Sequence, residues 1–184
     1  MPVVNGLVVM TPTSIASTGA GNSSSINADG SVDFSSCATL SLNGVFTSSY
    51  DNYMIVARTQ KSANYYLSGR WRASGTDESS ASNYYTDQSL YADGTTVAGG
   101  RTARNHFYVT YLDSALRNGF VAYFYGPYLS QPTAGRTVAA DSYLNAETID
   151  AAYTHSLSNS YDGITFFPQS GTFSGLLTVF GFNQ

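Results

Sequence analysis

Ser41 to Gln60 reads SLNGVFTSSYDNYMIVARTQ. Together with Leu40 it holds two runs of apolar alternation, Leu40-x-Leu42-x-Gly44-x-Phe46 and Tyr53-x-Ile55-x-Ala57, joined by the polar turn Thr47-Ser48-Ser49-Tyr50-Asp51-Asn52. A period of two, rich in aromatic and aliphatic residues and broken by Ser, Asp and Asn, predicts two half-buried strands and a connecting corner. Asn159-Ser160-Tyr161-Asp162-Gly163-Ile164-Thr165-Phe166-Phe167 is a shorter echo, so Ser-Tyr-Asp stands twice at the mouth of an apolar strand. An Asp side chain bonds backbone amides at turns, and a Tyr hydroxyl can pin a corner. Tyr50, Asp51, Tyr161 and Asp162 are therefore the candidate structural turn residues, and Asp51→Ala and Asp162→Ala are each expected to cost about 1 kcal/mol.

The same pattern continues outward in both directions. Asp29-Gly30 between Ile26 and Val32-x-Phe34 predicts a hairpin over about 25–34, because Gly accepts a positive φ. In Tyr66 to Ala73, Leu67, Gly69, Trp71 and Ala73 share one face and Arg70 and Arg72 the other. Residues 74–83 form a polar loop. Strand-like segments follow at 84–92, 105–112, 120–125, 138–143, 149–157, 164–167 and 173–182, with breaks at Asp93-Gly94, Gly126-Pro127 and 131–135. No apolar stretch keeps a helical period. Short strands with recurring turn signals predict an all-β fold: an antiparallel two-sheet sandwich, jelly-roll-like, occupying residues 25–184. Residues 1–24, rich in Thr, Ser, Gly and Asn, are expected as an extended N-terminal arm that orders only on a partner.

Charged residues make up 11% of the 184 and aromatics 14%, against about one quarter charged in an average globular protein. Seven of the eight basic residues are Arg and one, Lys61, is Lys; with a net charge of −4 and no basic cluster, nucleic acid is not an expected partner. Met1 to Met10 lacks a positive start and is too short for a secretion or membrane segment. Cys37 is the sole cysteine and reads as a small buried apolar side chain.

Catalytic patterns are weak. His106 and His155 have no carboxylate or Cys at ligand spacing, no Gly-x-Ser-x-Gly elbow occurs, and Gly99-Gly100 lacks the setting of a phosphate cradle. Asp77 with Glu78, and Asp141, Glu147 and Asp150, read as solvated loop charges. No enzyme activity, catalytic residue, metal or cofactor is expected. Aromatic density remains. If Phe120, Ala122 and Phe124 point inward, Tyr123 and Tyr125 face outward with Tyr128 beyond them, either as an interface or beneath a second packed layer. Arg70 and Arg72 are either solvated or charge partners across a subunit boundary. These five residues are the candidate interface, and self-association is the economical expectation.

Leu42-Asn43-Gly44-Val45-Phe46 with Ser49-Tyr50-Asp51-Asn52-Tyr53, Arg70 to Asp77, Gly126-Pro127-Tyr128, Gln131-Pro132-Thr133, Ser160 to Gly163 and Gly171 to Gly175 together make a chain that resembles tailed-bacteriophage virion proteins. The likeness runs from about Thr11 onward, while 141–150 departs from the pattern. It implies a β-sandwich that decorates capsids or sits in tail fibres, with no catalytic residues to carry over. The expected role is a capsid decoration or cement protein of the virion, a homotrimer whose arm binds the major capsid protein. The alternative is a tail-fibre or receptor-binding module recognising host-surface glycans.

Overall fold

The computed structural model describes residues 6–92, 97–112, 117–140 and 148–183. Among them every regular element is a strand: β1 (Val8–Val9), β2 (Ser14–Thr18), β3 (Ser23–Ile26), β4 (Val32–Cys37), β5 (Thr39–Asn43), β6 (Asn52–Lys61), β7 (Tyr65–Ala73), β8 (Thr76–Asp77), β9 (Tyr84–Ala92), β10 (Val97–Arg104), β11 (Phe107–Leu112), β12 (Arg117–Tyr125), β13 (Thr133–Ala140), β14 (Thr148–His155), β15 (Gly163–Pro168) and β16 (Phe173–Phe182). One sheet has ten strands, ordered β10-β9-β14-β13-β12-β6-β16-β4-β3, with β1 also on β16. The other has six, ordered β11-β7-β15-β5-β2, with β8 on β7. Every pairing is antiparallel.

Eight of these strands nest. β4 pairs with β16, β5 with β15, β6 with β12 and β7 with β11. The chain is thus one long doubled-over ribbon whose successive pairs fall alternately in the two sheets. The orders that result, β4-β16-β6-β12 against β5-β15-β7-β11, are jelly-roll connectivity. Two insertions, β9 to β10 and β13 to β14, widen the larger sheet beyond β12, while β8 adds to the smaller sheet on β7.

Side-chain alternation packs the sheets together. Tyr53, Ile55 and Ala57 of β6, Phe120, Ala122 and Phe124 of β12, and Leu67 and Trp71 of β7 are all buried between the layers. Trp71 sits at the centre of an aromatic core, its ring 5.1 Å from Phe107 and 5.0 Å from Phe124. Gly69 faces the same core, and a Cβ there would lie 2.3 Å from the Phe107 ring, so the missing side chain is the space Phe107 fills. Cys37 is fully buried and free, as its sequence context suggested.

The Ser41 to Gln60 stretch joins two layers. β5 lies in the six-stranded sheet and β6 in the ten-stranded one, so residues 44–51 cross the edge of the sandwich as a corner. Gly44 makes the bend at φ +67°, where Thr13 leaves no room for a Cβ.

Residues 8–24 are extended apart from a tight turn at Gly19 to Asn22, and they lie along the sandwich. β1 pairs with β16, β2 forms the outer edge on β5, and β3 pairs with β4 in the expected hairpin. The boundary expected between 24 and 25 therefore falls inside β3. The polar residues find partners here: Ser17 Oγ donates to Asn22 Oδ1 at 2.7 Å and lies 2.9 Å from Ser24 Oγ, while Thr18 and Thr39 hydroxyls meet at 2.7 Å. Local side-chain hydrogen bonds replace the apolar burial that this composition lacks.

Two further differences stand out. β13 starts at Thr133, inside the stretch expected as a loop, because Thr133 and Gly135 are buried and the Tyr153 ring packs where a Gly135 Cβ would sit, at 2.2 Å. β10, Val97–Arg104, has no apolar alternation to announce it. Asp93-Gly94, Asp141 and Glu147 lie outside the described residues.

Candidate functional site

The two Ser-Tyr-Asp copies come together at one end of the sandwich. Gly126 N donates to Asp51 O at 2.9 Å and Tyr161 N donates to Pro127 O at 2.8 Å, so the Gly126-Pro127 corner bridges them. Their side chains are not equivalent. Asp162 accepts Ser74 N through both carboxylate oxygens, at 3.2 and 3.1 Å. Asp51 is exposed and works through its backbone, its N donating to Asn183 Oδ1 at 3.0 Å. Tyr50 packs half-buried against the core, while Tyr161 is buried with its hydroxyl 3.2 Å from His155 Nδ1. Burial pushes the Tyr161 phenol up to about 12. The residue that pins the first corner is Tyr53: its Oη accepts Thr47 N at 2.7 Å and lies 2.8 Å from Thr47 O and 3.1 Å from Tyr50 O. Alternation had placed Tyr53 simply in the core.

The five candidate interface residues divide among three places. Tyr123 and Tyr125 face outward on the ten-stranded sheet, as alternation requires. Registers align them in rows: Phe182–Asn52–Tyr125–Ala134, Phe180–Met54–Tyr123–Arg136 and Thr178–Val56–Val121–Val138. Val56, Tyr125 and Val138 are each 40% exposed, and nothing else in the described chain covers them. The ion pair on this face, Arg136–Asp150, is internal to neighbouring strands. Tyr128 is not in the rows; it packs half-buried against the core.

Arg70 and Arg72 lie on the opposite surface, outside the six-stranded sheet. Arg72 is fully engaged at home. It pairs with Asp77, donates to Ser41 Oγ at 3.0 Å and Thr165 Oγ1 at 2.7 Å through Nη1, and to Asn43 Oδ1 at 3.0 Å through Nε. Arg70 instead belongs to an aromatic layer. Ser68 stands between Phe167 of β15 and Tyr108 of β11 in register. Tyr66 stacks on Tyr108 at 4.1 Å, Arg104 lies over the Tyr108 ring at 4.5 Å, and Arg70 lies over Phe167 at 4.6 Å. His106 fits between, 5.3 Å from Tyr108 and 5.7 Å from Phe167.

His106 is held as the neutral imidazole. Its Nδ1–H donates to Asn105 Oδ1 at 2.7 Å, and its Nε2 accepts from Gln169 Nε2 at 3.1 Å, an amide that also donates to Tyr108 Oη at 3.2 Å. Burial, then Arg104, then Arg70 bring its pKa down to about 4. Sequence spacing could not join His106, Phe167 and Gln169, because strand pairing across some 60 residues brings them together.

Among the described residues no group of three or more His, Cys, Asp or Glu is placed to hold a metal ion. No helix there is long and apolar enough to cross a membrane, which leaves strand-built membrane proteins unaddressed. A shallow polar hollow lined by Asp33, Arg58, Gln60 and Arg117 opens on the larger sheet.

No family model matches the chain, and no curated protein matches it. Among solved structures, a crystal structure of a protein of unknown function from Shewanella oneidensis MR-1 matches 98% of this chain and 81% of its own, with 9% identity and a TM-score of 0.26. A likeness at that level carries no argument about fold or role.

Proposed function

We propose that this chain is a non-enzymatic structural protein of a tailed-phage virion, of the capsid decoration type, acting as a homotrimer. The observation that carries this reading is the outer face of the ten-stranded sheet: three in-register rows containing Phe180, Phe182, Met54, Tyr123, Tyr125, Val56, Val121 and Val138. Contiguous apolar patches of this kind mark interaction surfaces. The occupant is a second copy of the same chain. Within these rows Arg136 and Asp150 neutralise each other, which leaves no net charge there to select an unlike partner, and a closed ring of copies meeting head to tail buries the rows without another ligand. The resemblance to phage virion proteins and the jelly-roll connectivity support the same reading. Contact with the major capsid protein falls to the outward edge of β2, since residues 8–24 are already hydrogen-bonded within the sandwich.

Size-exclusion chromatography with light scattering tests the assembly, and antibody labelling of intact particles tests the location. A trimer, and label over the whole shell, are expected. A stable monomer at micromolar concentration rejects the self-association, and label confined to the tail rejects the decoration role. The second reading, a tail-fibre or receptor-binding module for glycans, draws on one observation, the aromatic and arginine layer outside the six-stranded sheet.

A further inference from the structure

We propose that the layer formed by Arg70, Arg104, His106, Tyr108, Phe167 and Gln169 is a binding site for a carboxylated saccharide. This rests on the second reading above, but holds for either location on a particle.

Two guanidinium groups flank one imidazole, and among the described residues neither Arg70 nor Arg104 has a carboxylate within ion-pair reach; the pairs present are Arg72–Asp77 and Arg136–Asp150. Like charges gathered in a half-buried setting repel one another, and an anion between them relieves that repulsion. The guanidinium groups are also presented for the task. Stacked over Tyr108 and Phe167, they use their flat faces on the rings and keep in-plane N–H edges for a planar acceptor. A carboxylate matches that edge in two parallel hydrogen bonds. Arg70 commits Nε to Asn105 O at 3.0 Å, which fixes its orientation.

A second observation is independent of the charges. Among the described residues, Arg104 Nε and the fully buried Ser68 hydroxyl have no hydrogen-bond partner. Buried donors without acceptors are costly, and Arg104 Nε lies on the same guanidinium an anion would approach. The surrounding groups define what carries the anion. Asn105, Gln169 and the Tyr108 hydroxyl are neutral donors and acceptors, matched to sugar hydroxyls. Tyr66 and Phe167, both half-buried, add aromatic surface for a sugar ring's C–H face. An acidic peptide uses the two cations and leaves the amide rim idle; a sugar acid uses both.

The test is titration of the full chain with a glucuronate-containing tetrasaccharide, followed by calorimetry and by the imidazole resonances of His106. Maltotetraose, inorganic sulfate and an Asp/Glu hexapeptide serve as comparisons. Saturable binding of the acidic tetrasaccharide, with at least about tenfold weaker binding of all three comparisons, is expected, as bidentate contact and rim hydrogen bonds require. The His106 titration midpoint rises on saturation, because the bound carboxylate offsets the two guanidiniums. Arg70→Gln and Arg104→Gln each weaken binding, whereas Arg58→Gln on the other sheet does not. Absence of tetrasaccharide binding, equal binding of maltotetraose, or equal binding of sulfate or peptide overturns the proposal. These comparisons use the native chain, so they stand even if a variant misfolds. A trimer that binds no saccharide overturns this site and leaves the assembly reading intact.

Discussion

Tyr53 holds the first corner through a single phenol oxygen in contact with Thr47 N, Thr47 O and Tyr50 O. Tyr53→Phe strips all three contacts from a fully buried position while keeping the ring, so it lowers stability by about 1–3 kcal/mol; urea denaturation measures this. The Asp pair splits. Asp162→Ala frees Ser74 N and costs about 1 kcal/mol, whereas Asp51→Ala stays within about 0.5 kcal/mol, because its carboxylate holds nothing in the corner. Equal losses for the two would contradict the geometry.

The histidines set a pH dependence. His106 titrates near 4 when folded against an ordinary 6.5, and burial lowers His155 too, against the opposing pull of Glu78 and the Leu157 backbone. Both bind protons more readily unfolded. Their contribution to stability is complete above about pH 6.5 and is lost as pH falls toward 4. The Glu78 and Asp150 carboxyls, held low by hydrogen bonds from Ser80 and Arg136, act mainly below about pH 5, at the acid end of that window. The urea midpoint should therefore fall between about pH 7 and pH 5, and His106→Gln should flatten part of that slope. A level midpoint across the interval refutes this account.

At the scale of elements, β1 to β3 change what a truncation does. Removing residues 1–24 takes away β1, β2 and half of β3, and bares the backbone of β5 along one edge. The expected result is a melting temperature lower by about 4–8 °C and a tendency to associate through the bared edge. A truncated chain that melts like the whole one would show that these strands contribute nothing to the sandwich. Legibility followed burial. β6, β7, β12 and β16 alternate clearly because one face of each meets the core, and β16 matches its expected span of 173–182. β2 and β10 carry few large apolar side chains, since an edge strand can be held by its backbone partner, and backbone pairing leaves no periodic trace in sequence. The apolar face was visible through Tyr123 and Tyr125. The arginine layer was not: Arg70 was singled out only as a candidate interface residue and His106 only weighed as a metal ligand, and the partners of Arg70 arrive from two other segments, 104–106 and 167–169.

At the scale of the molecule, the two sheets turn opposite faces outward. The apolar rows lie outside the larger sheet and the guanidinium layer outside the smaller, so an assembly closed on the first displays several copies of the second. Weak single-site contacts then gain by repetition. Val56→Lys with Val138→Lys places two charges in the Thr178–Val56–Val121–Val138 row, and is expected to dissociate the proposed trimer to monomers that stay folded, both positions being exposed. A trimer that survives both charges places the interface elsewhere.

β16 lies between β6 and β4 over its first half and between β6 and β1 near its end, yet it is the last strand of the jelly roll to be made. During synthesis every earlier strand leaves the ribosome with the middle of the larger sheet missing. β4 and β6 then wait with open edges until residues 173–182 arrive. The nascent chain is therefore exposed to premature association until residues 173–182 have been made, and a chain cut before Phe173 has no centre to close around.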